Sequence, residues 1–361
     1  MKGFPMTTTD FDQTKADAFA ASMLGVVNAA STALGLSIGH RLGLLDTLAG
    51  MAPSTSQQIA DAADLQERYV REWLNGMVVA KVVEYDPSTQ SYHLPAEHAA
   101  VTRAAGPRNI ANFTQFIPLL SSVEGELIDA FRNGGGVPYS SYEAFHGLMH
   151  ENSASRFDHN LIDTQIPLVD GIVSKLEAGI SVADMGCGSG HAINLMAQQW
   201  PNSQFTGHDF SEQALGVARA EATAMGLQNA TFELSDVAAL SGENLYDLVT
   251  TFDAVHDQAD PAGMLTSVAR VLKPGGTYLC ADIAASSNVH ENMEHLTGPF
   301  FYTVSLFHCM TVSLALDGEG LGAMWGEQRA LEMLADAGFT NVEVKQVDGD
   351  LFNNFYIATP A

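Results

Sequence analysis

The chain has 361 residues, 46 % of them hydrophobic, which is too much for one ordinary core and suits two domains. Sixteen Lys and Arg stand against 42 Asp and Glu, a formal charge of −26. A surface this acidic repels nucleic acid and anionic lipid at long range, so neither is an expected partner.

Residues 15–50 are Ala-rich with apolar positions at helical spacing and predict helix. Ser54-Thr55-Ser56 supplies caps for a short helix over 56–64, and a second helix is predicted over 66–82. Two short strands, 82–85 and 91–94, flank the turn DPSTQ. Two helices and a two-stranded ribbon make a winged-helix pattern. From 106 to 178 the chain is mostly helical, broken by FRNGGGVPYSSYEAF, because three successive glycines cannot be helix interior.

After Gly179 the rhythm becomes alternating strand and helix, as in ISVADMG, HAINLMAQQW, QFTGHDF and SEQALGVARAEATAMG. The β-α-β-α-β order implies an α/β fold with a parallel sheet covered on both faces. An insertion over 284–326 precedes a last helix and two strands. The expected organisation is a winged-helix domain at 1–105, a helical linker and substrate-lid region at 106–178, and a nucleotide-fold domain at 179–361. No apolar run is judged to approach the roughly 20 residues of a membrane span. The N-terminus lacks an apolar signal region, and Cys187, Cys280 and Cys309 are too few and too far apart for a disulfide framework. A reducing, cytoplasmic setting is the expectation.

VADMGCGSGH places Gly186, Gly188 and Gly190 at a strand end that opens a helix. Glycines there let the backbone turn tightly and approach a ligand. Asp209 follows Gly190 by nineteen residues, at the end of the next strand, where a carboxylate accepts both ribose hydroxyls. Phe210 is placed beside it. The glycines alone fit a dinucleotide site or a tight turn equally well. Asp184, two residues before the first glycine, and Asp236, at the end of the third strand, decide the matter. A pyrophosphate gains little from a carboxylate beside it, whereas a sulfonium and an α-ammonium tolerate acidic neighbours. The expected cofactor is S-adenosyl-L-methionine, with S-adenosyl-L-homocysteine as product. Asp236 would accept from the adenine amino group, Val237 would lie beside the ring, and Phe252 and Asp253 would line the methionine end.

On these motifs residues 179–361 resemble the class I, Rossmann-like methyltransferases. That resemblance implies a seven-stranded sheet of order 3-2-1-4-5-7-6 with the last strand antiparallel. The segments SIGHRLGLLDTLAG, ERYVREWL, YHLPAEHAA, RNGGGVPYSSY, TTFDAVHDQADP, FHCMTVSLA and GLGAMWGE resemble a bacterial and animal family of fused winged-helix methyltransferases, often labelled transcriptional regulators. The resemblance implies a small-molecule methyl acceptor and a homodimer joined through the N-terminal domain. It also implies a His-Asp pair after the fourth strand that takes the acceptor's proton. Here the pair reads His256-Asp257, and His256 is the candidate base.

Tyr139, Tyr142 and His146 near the glycine loop, with Tyr302, His308 and Trp325 in or behind the late insertion, are the candidate substrate residues. No metal site is expected. The soft, aromatic lid favours a small thiol such as sulfide or methanethiol, and a hydroxylated or phenolic acceptor is the alternative. A DNA-binding regulator is a third reading. Residues 34–100 oppose it, holding four basic side chains and eight acidic ones, with Asp86 on the turn of the wing.

Overall fold

The computed structural model describes residues 11–104, 109–142, 145–348, 350 and 352–360. It divides into two compact units, one ending at Pro118 and one beginning at Leu119.

In the first unit the predicted N-terminal helix is two. Gln13–Arg41 ends where Gly43 takes φ +67°, and Leu44–Ala49 follows. The helix Ser56–Ala63 starts at a capping box in which Thr55 and Gln58 bond each other's backbone N–H. Glu67–Val79 comes next, then the ribbon of β1 (Glu84–Asp86) and β2 (Ser91–His93). Leu44, Leu45, Ile59, Val70, Leu74 and Leu94 form its core. The last turns of Gln13–Arg41 pack tightly. A Cβ on Gly39 would lie 2.4 Å from the Trp73 ring, and Trp73 Nε1 donates to the Gly35 carbonyl at 2.7 Å. Its earlier turns are exposed, with Phe19, Leu24 and Val27 each more than 60 % accessible. Residues 18–39 carry no charge, so one helix is long and apolar enough to cross a membrane, which corrects the expectation that no run approaches that length.

The second unit holds seven strands: β3 (Ser181–Met185), β4 (Gln204–Asp209), β5 (Ala230–Leu234), β6 (Tyr246–Phe252), β7 (Leu272–Ile283), β8 (Phe339–Lys345) and β9 (Asn353–Pro360). Their order is β5-β4-β3-β6-β7-β9-β8, and β9 alone runs opposite to the other six. This is the order the resemblance implied. The two-residue period of the strands feeds two cores. Val182, Leu248 and Leu279 face one layer, while Ala183, Val249 and Tyr278 face the other. The first layer is closed by Leu161, Ile166, Ile193 and Met196, the second by Met264, Leu265, Val268 and Leu334.

The insertion folds as Gly298–Val304, a wide π-type turn Ser305–Cys309, and Met310–Ala315. The triple glycine packs on it. A Cβ on Gly136 would sit 1.9 Å from the Thr311 carbonyl oxygen, and Val137 N–H donates to Thr311 Oγ1 at 2.9 Å. Only glycine allows that approach.

Candidate active site

The carboxyl ends of β3, β4 and β6 open into one cavity of about 760 Å³. This is where open α/β sheets hold their ligands. After β3 the chain turns through Gly186 at φ +73°, Gly188 at φ +54° and Gly190 at φ +69°. Each plays a different part. A Cβ on Gly186 would strike Ala254 at 2.8 Å, and one on Gly190 would strike Phe232 and Ala218 at 2.4 and 2.5 Å. Nothing lies within 4 Å of a Cβ on Gly188, which faces open space beside the cavity. Gly190 therefore seats the helix His191–Gln199 on its neighbours and does not line the wall.

Asp209 is buried and braces the loop, with Gly188 N–H and Ser211 N–H each donating to its carboxylate at 2.8 Å. Asp184 is also buried, and its Oδ1 accepts from Thr250 Oγ1 at 2.7 Å. Burial pushes its carboxyl up to about 7, against the help of Thr250, and the nearby Asp209 charge adds to the rise. Asp236 caps the short turn that starts at Val237. Asp253 follows β6 with φ +53°, a left-handed backbone for a residue other than glycine.

Asp184, Gly186, Gly188, Asp209, Phe210, Asp236, Val237, Phe252 and Asp253 all line the cavity, and so does Tyr139. Burial, with Asp257 and Asp209 nearby, raises the Tyr139 phenol well above its ordinary value. Its ring meets Phe210 at 5.8 Å and His308 at 5.6 Å between centroids.

Other candidates lie elsewhere. His256 is 4 % exposed and stands behind the wall rather than on it. Its Nδ1 bonds Asp282 Oδ1 at 2.6 Å, and its Nε2 lies 3.3 Å from Asp257 Oδ1. Burial alone would lower its pKa, but Asp282 and Asp257 together raise it well above the usual histidine value. The side chain that reaches the cavity is Asp257. His308 and Tyr142 form a second layer. Tyr142 donates to the Phe307 carbonyl and meets His308 edge-on, and the Nδ1 of His308 is 3.9 Å from Asp257 Oδ2. Trp325 is buried and donates Nε1 to Asp282 at 3.0 Å. Tyr302 is off the cavity wall, its hydroxyl accepting from Asn292. The His146 side chain lies outside the described ones. The expected aromatic lid is thus mostly core, since Phe300 and Phe301 pack with Ile283, Cys309 and Met324. The insertion gives the wall Val312 and Leu316 instead.

Sequence reasoning missed two basic residues on the wall. Arg156, on the helix Phe145–Asn160, donates to Asp253 at 2.5 Å and to Asn353 at 3.2 Å. His191 bonds Glu221 at 2.7 Å and Asp158 at 3.0 Å. Against these two the wall sets Asp184, Asp209, Asp236, Asp253, Asp257 and Asp260. Six carboxylates around one cleft suit a ligand with cationic centres and oppose a pyrophosphate.

The sheet order and the glycine loop after β3 are those of the class I methyltransferase fold. Two family models match the chain: "Rv2258c-like winged HTH domain" over residues 30–103 and "Methyltransferase domain" over 176–324. The chain joins a winged helix-turn-helix domain to a methyltransferase domain. It is 31 % identical over 143 residues to the ubiquinone biosynthesis O-methyltransferase of Leptothrix cholodnii, covering 39 % of this chain and 60 % of that one. It is 28 % identical over 174 residues to the demethylmenaquinone methyltransferase of Listeria monocytogenes, covering 46 % and 73 %. The match to the first of these thus spans less than two thirds of the relative's length. Human N-acetylserotonin methyltransferase, solved in complex with SAM, has the same fold across 98 % of this chain and 100 % of its own, with a TM-score of 0.70 at 17 % identity.

Proposed function

We propose that the chain transfers the methyl group of S-adenosylmethionine to a hydroxyl oxygen of a small molecule. The observation that carries this reading is the single cavity that joins the glycine loop, Asp209 and Asp236 to Asp257. Asp209 offers acceptors to a ribose, and Asp236 and Val237 border the space for an adenine. Asp184 meets an α-ammonium group. When bound, the cofactor supplies an electrophilic methyl group. The chain's part is to exclude water, align the acceptor and take its proton. Asp257 is the group on the wall that can accept that proton. His256 stands behind it as its counter-charge, oriented through Nδ1 by Asp282 and, beyond that, by Trp325.

A thiol acceptor loses its support here. The Leptothrix relative is an O-methyltransferase by name, and the soft lid that favoured sulfur is core. Cys309 is buried, with its thiol pushed up to about 12 by that burial. The exposed apolar turns of Gln13–Arg41 support the further reading that a second copy of the chain covers them, with a bilayer as the competing cover.

Calorimetric titration of S-adenosylmethionine into the wild type and Asp209→Ala tests the cofactor, and a screen of phenols against thiols tests the acceptor. Micromolar binding that Asp209→Ala removes, with faster turnover of phenols, is the expected result. No binding by folded wild-type protein would end the reading.

A further inference from the structure

The loop after β6 and the late insertion bring together three metal-binding side chains from distant parts of the sequence. The ring of His256, the carboxylate of Asp257 and the thiol of Cys309 each present a ligand atom, all within 4.8 Å of one another. A tetrahedral zinc ion with bonds of roughly 2.0–2.3 Å spaces its ligand atoms about 3.3–3.8 Å apart. His256 Nε2 and Asp257 Oδ1 are 3.3 Å apart. Asp257 Oδ1 is buried without a hydrogen-bond partner among the described residues, a costly state for a carboxylate oxygen. The sequence alone points to no metal, because nothing near Cys309 marks it as the partner of a histidine on another loop.

The fold braces this set from two sides. His256 Nδ1 bonds Asp282 Oδ1 at 2.6 Å, and Trp325 Nε1 donates to the same oxygen at 3.0 Å. A metal-binding histidine is held in this way, with one nitrogen on a carboxylate and the other turned to the ion. Cys309 ends the wide π-type turn Ser305–Cys309, a break in helix geometry that is frequent at functional positions. Ser313 Oγ donates to the Gln258 carbonyl at 2.8 Å and Gly322 N–H to the His256 carbonyl at 3.2 Å, which ties the insertion to the loop. His256 and Cys309 are buried, while Asp257 reaches the cavity wall. We propose that His256, Asp257 and Cys309 form a three-ligand site for a zinc ion, with its fourth position open to the cavity. A set of one nitrogen, one oxygen and one sulfur suits zinc, whereas magnesium and calcium take oxygen ligands. Three protein ligands and an open position is the arrangement of a zinc ion that holds a water or a substrate. The ion takes the place of the His256 proton as the counter-charge of Asp257. On the transferase reading the open position faces the acceptor, but zinc binding does not depend on that reading.

Metal binding tests this without turnover. The full chain, stripped with a chelator, is titrated with Zn²⁺ and, as a spectroscopic probe, with Co²⁺. The wild type is expected to retain one zinc per chain through gel filtration. Its cobalt form is expected to show a thiolate-to-metal charge-transfer band and the intense visible absorption of a four-coordinate ion. Cys309→Ser is expected to lose the band and to bind zinc at least tenfold more weakly. A folded wild type that retains no zinc, a cobalt form without the thiolate band, or a band and affinity unchanged in Cys309→Ser overturns the assignment. Should Cys309→Ser not fold, Cys187→Ser and Cys280→Ser identify the thiol by elimination. A band kept in both assigns it to Cys309, and a band lost in either overturns the site. Zinc retention without S-adenosylmethionine binding would sink the transferase reading and leave the zinc site standing. Cofactor binding without zinc retention would do the reverse.

Discussion

Asp184→Asn separates what this carboxyl does for the ligand from what it costs the fold. In the unfolded chain the carboxyl ionises near 3.9, whereas in the folded, ligand-free protein it holds its proton up to about 7. Between those values the folded state binds more protons, so stability falls as pH rises through that window. The gap spans roughly three pH units at 1.36 kcal/mol each, so full ionisation costs the ligand-free protein on the order of 4 kcal/mol by pH 8. Asparagine has nearly the same shape and can still bond Thr250, but carries no charge to bury. Urea melts at pH 5 and pH 8 read the difference. The variant's advantage should be about 1.5 kcal/mol at pH 5 and grow to about 4 kcal/mol at pH 8. The same variant should bind S-adenosylmethionine more weakly at pH 8, because the ionised form is the one that meets the ammonium group. In the wild type, cofactor affinity should rise about tenfold from pH 6 to pH 8, with proton release on binding. Equal stability of variant and wild type at pH 8, or affinity flat across that range, would refute the account of Asp184.

Three further outcomes follow from the geometry. Gly190→Ala adds a Cβ 2.5 Å from that of Ala218 at a backbone φ of +69°, so it should lose at least about 2 kcal/mol in denaturant melts; a wild-type melt would mean the loop has room to shift. Asp257→Asn should lower turnover of a phenolic acceptor by about a hundredfold or more while S-adenosylmethionine affinity changes only a few-fold. Unchanged turnover would remove Asp257 as proton acceptor. The paired substitution Leu24→Asp and Val27→Asp should convert a dimer to a monomer in sedimentation runs, and a wild type that is already monomeric, or a variant of unchanged mass, would rule out that interface.

The sheet was readable because strands buried on both faces leave continuous apolar runs, and each is followed by a helical period. The glycine loop and its carboxylates were readable because they cluster within one strand-turn-helix unit and at the ends of the next strands. The Arg156–Asp253 pair was not, since its members stand 97 residues apart and nothing local marks Arg156 as special. His256 and Asp257 are neighbours in sequence, yet the chain between β6 and the next helix turns one inward and the other to the cavity. Residue type could not say which. The aromatics of the insertion failed for a simpler reason, because an apolar side chain satisfies a core and a cleft equally well. The N-terminal helix was predicted, but its span-length apolar stretch was missed because alanines, serines and glycines dilute it.

The place of β9 bears on how the protein is made. Of the seven strands this one is synthesised last, yet it lies inside the sheet, between β7 and β8. Its first residue, Asn353, donates to Asp253 on the cavity wall. A nascent chain that has completed β3 to β7 therefore has its glycine loop and most of its carboxylates, but an open sheet edge and an Asp253 that still lacks Asn353. Synthesis runs at roughly 5–20 residues per second. Residues 284–360, from the insertion through β9, thus take several seconds in which that edge awaits its partner. The same strand therefore closes the sheet and completes the cavity wall at Asp253.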